Sequence, residues 1–359
     1  MDDTVFIFRV DSSSEIGMGH LVRCIALAKA LAELKATVVF ICRDHAGSGH
    51  TLISDYHFRL HLLSGKKIKN NSSNPEDWLG CTQLHDALEC SSIMSAYKKT
   101  HVIVDHYGLD QTWEMQIECE KMTVIDDLAN REHSCDILID QSICNTKGDY
   151  EDLVHGDFQF IGGNMVLLRE EFNQARSWKE SSSGKILVCM GGADPFGHTQ
   201  GILDILINSE YKVLKGLGIR QINVIVGMGY ADISVLEKLV QASDLDIRLL
   251  RAPNRVSEIM LSSDLCIVSC GTMILETCAL GVPSVGVVVA DNQYGTAEYL
   301  ECSGAIHAYD PATDSGSDLL SSLSFLLSNK RALCSYSRRQ RNLVSKDSNS
   351  SIARRLYES

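Results

Sequence analysis

The chain has 359 residues, 45% of them hydrophobic and 22% charged, with only 5 prolines; that length exceeds what one hydrophobic core usually organises, and the composition excludes disorder or a collagen-like fibre. Its 46 acidic against 33 basic residues give a net charge of −13, a field that repels polyanions and excludes nucleic acid as the expected partner. The single basic run, "RRQRN" at 338–342, is short, and no apolar run reaches the roughly 18 residues of a membrane span.

Strand-like and helical stretches alternate from the start. "TVFIFRV" leads into a helix from about His20, on which Leu21, Cys24, Ile25, Leu27, Ala28 and Leu31 form one broad apolar face suited to pack on a sheet. "ATVVFIC", "FRLHLL", "HVIVD", "TVID" and "DILID" continue the rhythm, with a long helix predicted from Trp78 to Tyr97. The lysine- and asparagine-rich "SGKKIKNNSSNPED" at 64–77 reads as a mobile surface loop.

A serine-rich break at 181–184 precedes a fresh strand, "ILVCMGG", and the pattern then repeats through "INVIVG", "DIRLLR", "DLCIVSC" and "VPSVGVVV". The expected class is α/β, with two Rossmann-like domains in tandem at 1–180 and 184–345 and a C-terminal helix at 346–359. Thirteen cysteines, an odd number with no Cys-x-x-Cys pair, lie mostly in apolar stretches and read as reduced thiols. With no basic-then-apolar leader at the N-terminus, a cytoplasmic protein is expected.

In open parallel sheets ligands bind outside the carboxyl ends of the strands. Three glycine-rich turns fall there: "DSSSEIGMGH" in the first half, "MGGADPFGH" and "SCGTMILETCALGVP" in the second. The latter two offer backbone N–H groups and a positive helix end, which suit a phosphate or diphosphate. Neither is a Walker loop, and the dinucleotide fingerprint is incomplete in both halves.

His20 is unexplained as a helix-dipole partner, because an imidazolium prefers the other end of a helix. It is either a neutral base awaiting a proton or a hydrogen-bonded structural histidine. "VIVDHYGLD" places Asp105, His106 and Tyr107 at a strand end, where Asp105 either orients a neighbouring imidazole or only caps the next helix. Glu276, beyond the start of the helix opened by "SCGT", is either a ribose acceptor or a solvent-facing glutamate. No histidine, aspartate or glutamate cluster has metal-ligand spacing, so no metal and no cofactor are expected.

The motifs "RVDSSSEIGMGHLVRC", "FICRD", "DWLGCTQLHDA", "VIVDHYGLDQTWE", "VIDDLANREHSCDILIDQ", "MGGADP" and "SCGTMILETCALGVPSVGVVVADNQ" occur in an order that resembles the UDP-2,4-diacetamido-2,4,6-trideoxy-β-L-altropyranose hydrolase family of pseudaminic acid biosynthesis. That resemblance implies the glycosyltransferase-B fold, two Rossmann-like domains facing across a cleft. It makes His20 the catalytic base and Tyr107 its support. Asp11, Gly17, Gly19, Arg23 and Asp105 would then line the sugar side. The second half would hold UDP, with Gly191, Gly192, Asp194, Ser269, Gly271 and Thr272 near the diphosphate. Glu276 would serve the ribose, Asn292 and Gln293 the phosphate or sugar, and Val256 the uracil. The implied reaction is metal-independent hydrolysis of a UDP-sugar with C–O cleavage and inversion. A glycosyltransferase using a UDP-amino-sugar donor and a non-catalytic nucleotide-sugar-binding protein are the alternatives.

Overall fold

The structure, a computed structural model, describes residues 4–65, 75–180, 183–192, 194–209, 211–230 and 232–359. Most of the loop expected at 64–77, and Ser181 and Ser182 of the expected linker, lie outside the described residues. The chain divides into two compact units, Met1–Arg169 with Asp347–Ser359, and Glu170–Lys346.

Among the described residues the first unit has seven strands: β1 (Val5–Val10), β2 (Thr37–Arg43), β3 (Arg59–Leu63), β4 (Thr100–Asp105), β5 (Lys121–Ile125), β6 (Ile137–Ile139) and β7 (Gln159–Ile161). They form one sheet in the order β3-β2-β1-β4-β5-β6-β7, parallel throughout. Alternate side chains of each strand leave on opposite faces. Phe6, Phe8 and Val10 join Cys24, Leu27, Ala28 and Leu31 of the Gly19–Glu33 helix on one face. Ile7 joins Val39, Ile41, Val102, Val104 and Trp113 on the other. Both faces are covered, which is why these strands read as continuous apolar runs rather than alternating ones.

The second unit has six described strands, β8 (Lys185–Cys189), β9 (Gln221–Val226), β10 (Ile247–Arg251), β11 (Leu265–Ser269), β12 (Ser284–Val287) and β13 (His307–Tyr309). Their order is β10-β9-β8-β11-β12-β13, again parallel. In each sheet the strand order reverses beside the first strand, between β1 and β4 and between β8 and β11. The loops leaving those strands part in opposite directions there, which opens the crevice where such sheets bind ligands.

Three sequence expectations are adjusted. The long helix at 78–97 is instead a 3₁₀ turn, Pro75–Leu79, and a helix, Gln83–Met94. Gly80, at φ +70°, breaks the path, and the Thr82 side chain restarts it by accepting the His85 N–H at 3.3 Å. The expected break at 181–184 comes after the unit boundary, because Trp178 is already anchored in the second unit: its backbone N–H reaches the Leu280 carbonyl at 2.8 Å and its indole N–H that of Ser263 at 2.9 Å. The last helix, Ser348–Glu358, returns to the first unit and packs Ile352, Ala353 and Leu356 with the Gly19–Glu33 helix.

All thirteen cysteines are free thiols, eight of them buried. No helix among the described residues is long and apolar enough to cross a membrane.

Candidate functional site

In the first unit, β1 and β4 lie side by side with Val10 opposite Asp105. The loop leaving β1 turns through Gly17, at φ +79°, a conformation that glycine adopts without a Cβ clash. The helix begins at Gly19 and places His20 in its first turn. His20 is 7% exposed, and its Nδ1 lies 2.6 Å from Asp105 Oδ1. An ionised carboxylate only accepts, whereas Arg23 Nη2, 3.0 Å from the same Nδ1, only donates; the shorter carboxylate contact favours the proton on Nδ1 and the ring's lone pair on Nε2. Nε2 has no hydrogen bond among the described residues. Asp105 is thus the group that orients the imidazole, leaving the other nitrogen able to accept a proton.

Asp105 is fully buried and also takes Arg23 in a two-pronged contact, Nε to Oδ2 and Nη2 to Oδ1, each at 2.6 Å. Burial alone would raise the pKa of this carboxyl, but the charges of Arg23 and His20 and their hydrogen bonds hold it well below the usual carboxylate range. The remaining end of Arg23, Nη1, donates to Asp127 Oδ2 at 2.8 Å. Tyr107 donates its hydroxyl to Asp127 Oδ1. Its ring stands edge-on to His20 with centroids 4.4 Å apart, beside Trp78 at 6.0 Å, with the Arg131 guanidinium 5.6 Å from its centroid. Burial first, and then the neighbouring Asp127 charge, push the Tyr107 phenol well above its ordinary range, so it is a neutral donor.

Two residues expected to touch substrate are committed elsewhere. Asp11 is wholly buried: its Oδ1 and Oδ2 take Arg9 at 2.6 and 2.8 Å, and Oδ1 also accepts the Arg43 backbone N–H at 2.6 Å. His106 Nδ1 accepts the Gly108 N–H at 2.9 Å, which leaves its Nε2 proton facing Asp11 at 3.4 Å. Burial holds this imidazole down at about 4, neutral near pH 7. Arg23 has every arm on a carboxylate. Asp11 therefore anchors the strand end and Arg23 joins two acids. Asp127, Arg131 and Trp78 were not singled out in the sequence; the acidic pair "DD" closing a strand was the available sign for Asp127.

In the second unit the turn after β8 runs through Gly191, at φ +101°, and Gly192. Asp194 does not leave its helix end open to phosphate. Its carboxylate accepts the backbone N–H groups of His198 at 2.9 Å and Thr199 at 2.7 Å, the first turn of the His198–Asn208 helix. The turn after β11 differs. Ser269 closes the strand, Gly271 is the N-cap of the Thr272–Leu280 helix, no side chain caps that end, and its first turn carries no acid. Such an end presents unpaired N–H groups and a positive potential.

Gln293, in the Asp291–Gln293 turn, is brought to the same place. Its Nε2 lies 3.4 Å from where a Cβ would project on Gly271, while its Oε1 accepts the Val289 N–H at 3.2 Å. Asn292 beside it is exposed. Glu276 is 1% exposed, which removes the reading of a solvent-facing helix glutamate. Val256 opens the Val256–Leu261 helix with its side chain buried. No group of three or more potential metal ligands occurs among the described residues.

Two doubly wound units of this order, in tandem, are the glycosyltransferase-B fold. MurG of Acinetobacter baumannii shares it at a TM-score of 0.64, with 14% identity and 99% of both chains covered. A UDP-glucosyltransferase of Polygonum tinctorium does so at 0.66, with 11% identity and 99% of both covered. Residues 197–356 match the glycosyltransferase family 28 C-terminal domain.

The chain is a relative of the UDP-2,4-diacetamido-2,4,6-trideoxy-beta-L-altropyranose hydrolase of Campylobacter jejuni, as its motifs indicate. The two are 27% identical over 302 residues, which span 83% of this chain and 96% of the relative.

Proposed function

We propose that this chain is a hydrolase that releases UDP from UDP-2,4-diacetamido-2,4,6-trideoxy-β-L-altropyranose by attack of water at the anomeric carbon. The observation that carries this reading is the His20–Asp105 pair, with Nδ1 engaged and Nε2 available. The relative's name supplies the substrate class.

His20 Nε2 takes a proton from water as the oxygen bonds to the anomeric carbon. The bond from that carbon to the β-phosphate oxygen breaks, its electron pair leaving with UDP, and Asp105 faces the imidazolium that results. Diphosphate leaves readily once its charge is met by the open N-terminus of the Thr272–Leu280 helix and by the Gln293 amide. No acidic residue is then needed to protonate the leaving group, unlike the carboxylate pair of ordinary glycosidases. The chemistry assigns no step to a metal, and the reaction is proposed to proceed without one.

Hydrolysis in ¹⁸O-water tests the bond assignment. Label is expected in the sugar and not in UDP, with the first-formed anomer inverted, as a single displacement requires. Label in UDP would overturn C–O cleavage. The family 28 domain match keeps a second reading in play, transfer of the sugar to an acceptor. UDP release by the purified protein with water alone supports the hydrolase, whereas release only when an acceptor is added supports the transferase.

Glu276 is assigned to the ribose. Glu276→Gln, which keeps the buried shape, is expected to raise KM about tenfold with little change in kcat, the pattern of a contact made equally in ground and transition states. A fall in kcat at unchanged KM would move Glu276 into the chemistry.

A further inference from the structure

We propose that Asp127 is a positioning residue of the reaction, completing the charge balance around His20 through Arg23 and holding Tyr107 against the imidazole. The inference rests on the hydrolase reading and adds to it a residue that acts through others.

It begins with a difficulty at Asp105. In an Asp–His pair the carboxylate compensates the imidazolium that forms when the base takes a proton. Here Asp105 is already paired with Arg23 by two contacts of 2.6 Å, and the three side chains are buried, Asp105 completely. Asp105 and Arg23 alone sum to zero, which would leave the imidazolium an uncompensated cation among buried side chains. Such a charge is costly. Asp127 resolves this. By accepting Arg23 Nη1 at 2.8 Å it brings the set to two carboxylates and one guanidinium, net −1, which a single imidazolium neutralises.

The other charged and titratable groups around the ring do not supply that balance. On its own helix, Arg23 is the cation already counted. From the loop after β4, His106 is held neutral by burial and Tyr107 is a neutral phenol. From the segment after β5, Arg131 is paired with Asp126 at 2.7 Å. Asp11, on the loop after β1, is matched by Arg9 at 2.6 Å.

Asp127 does a second thing. Because it receives the Tyr107 hydroxyl, that proton is engaged by Asp127 and the ring is held perpendicular to His20. The Tyr107 contribution is thereby steric: it fixes the plane of the imidazole, while Asp105 fixes its tautomer.

The test is a histidine-ring NMR titration of the free protein, with the His20 resonance identified by its loss in His20→Ala. In Asp127→Asn the pH at which this resonance titrates is expected to fall by about one unit, and Asp127→Glu to restore it. With substrate, the acid limb of kcat/KM should move in the same direction, and the plateau kcat should fall about tenfold at unchanged KM, as for a weakened base. An unchanged titration in the folded Asn variant overturns the proposal. If that variant does not fold, Tyr107→Phe frees Asp127 of its other donor and is expected to raise the titration pH; no change there overturns the proposal equally. The titration needs no substrate, so a normal Asp127 effect in a protein that releases no UDP would count against the hydrolase reading alone.

Discussion

Replacing His20 by alanine is expected to slow UDP release at least about 100-fold, the low end for loss of a positioned acid-base group, while UDP affinity stays within about twofold. The reason for the split is that the imidazole belongs to the first unit and the proposed nucleotide site to the second, so the variant removes a proton acceptor and no nucleotide contact. Single-turnover kinetics and calorimetric titration with UDP measure the two quantities. Near-normal turnover would remove His20 from the chemistry. A matched loss of UDP binding would show that it acts on the fold, through Asp105 and the turn at Gly17.

Asp86→Ala is expected to be the most destabilising single change in the first unit. Asp86, fully buried on the Gln83–Met94 helix, accepts Arg9 Nε at 2.9 Å and Nη2 at 2.7 Å, Arg43 Nη2 at 2.5 Å and the Trp113 indole N–H at 2.9 Å. Removing it leaves two buried guanidinium groups short of a partner, and breaking such a pair costs about 3–5 kcal/mol. For a unit of this size that lowers the transition temperature by about 10 °C, readable by scanning calorimetry. Burial alone would raise the pKa of this carboxyl; the Arg9 charge and hydrogen bonds overcome that and hold it below the ordinary range. The stability it contributes is accordingly present above the ordinary carboxylate pKa and lost as pH falls toward its depressed folded value. A variant that melts with the wild type would mean the cluster is compensated by water.

Both sheets were legible in the amino-acid order because burying a strand on two faces demands an unbroken apolar run, and "VFIF", "VVFIC" and "CIVS" supply it over a few residues. The strands that escaped notice, β7 and β13, are three residues long and lie at sheet edges, where half the burial is missing and with it the pattern. The same locality explains the misreading of 78–97, where a glycine and a threonine cap interrupt an otherwise helical composition.

The site divides along the same line. His20 at a helix start, the uncapped "SCGT" turn and the strand-end Asp105 follow from short stretches of chain, and the sequence by itself determined that these groups stand at the carboxyl ends of parallel strands. Which of them meet was decided only by tertiary structure. Asp105 lies 85 positions from His20 and 82 from Arg23, and the pairing of β1 with β4 brings them within 2.6 Å. That same packing saturates Asp11 with Arg9, sets Asp194 across its own helix end and draws Asp127 to Arg23 over 104 positions. A carboxylate near a ligand-binding loop looks alike in sequence whether it faces substrate or a buried arginine. The difference is the identity of its neighbour across the sheet, which strand register supplies and local composition does not.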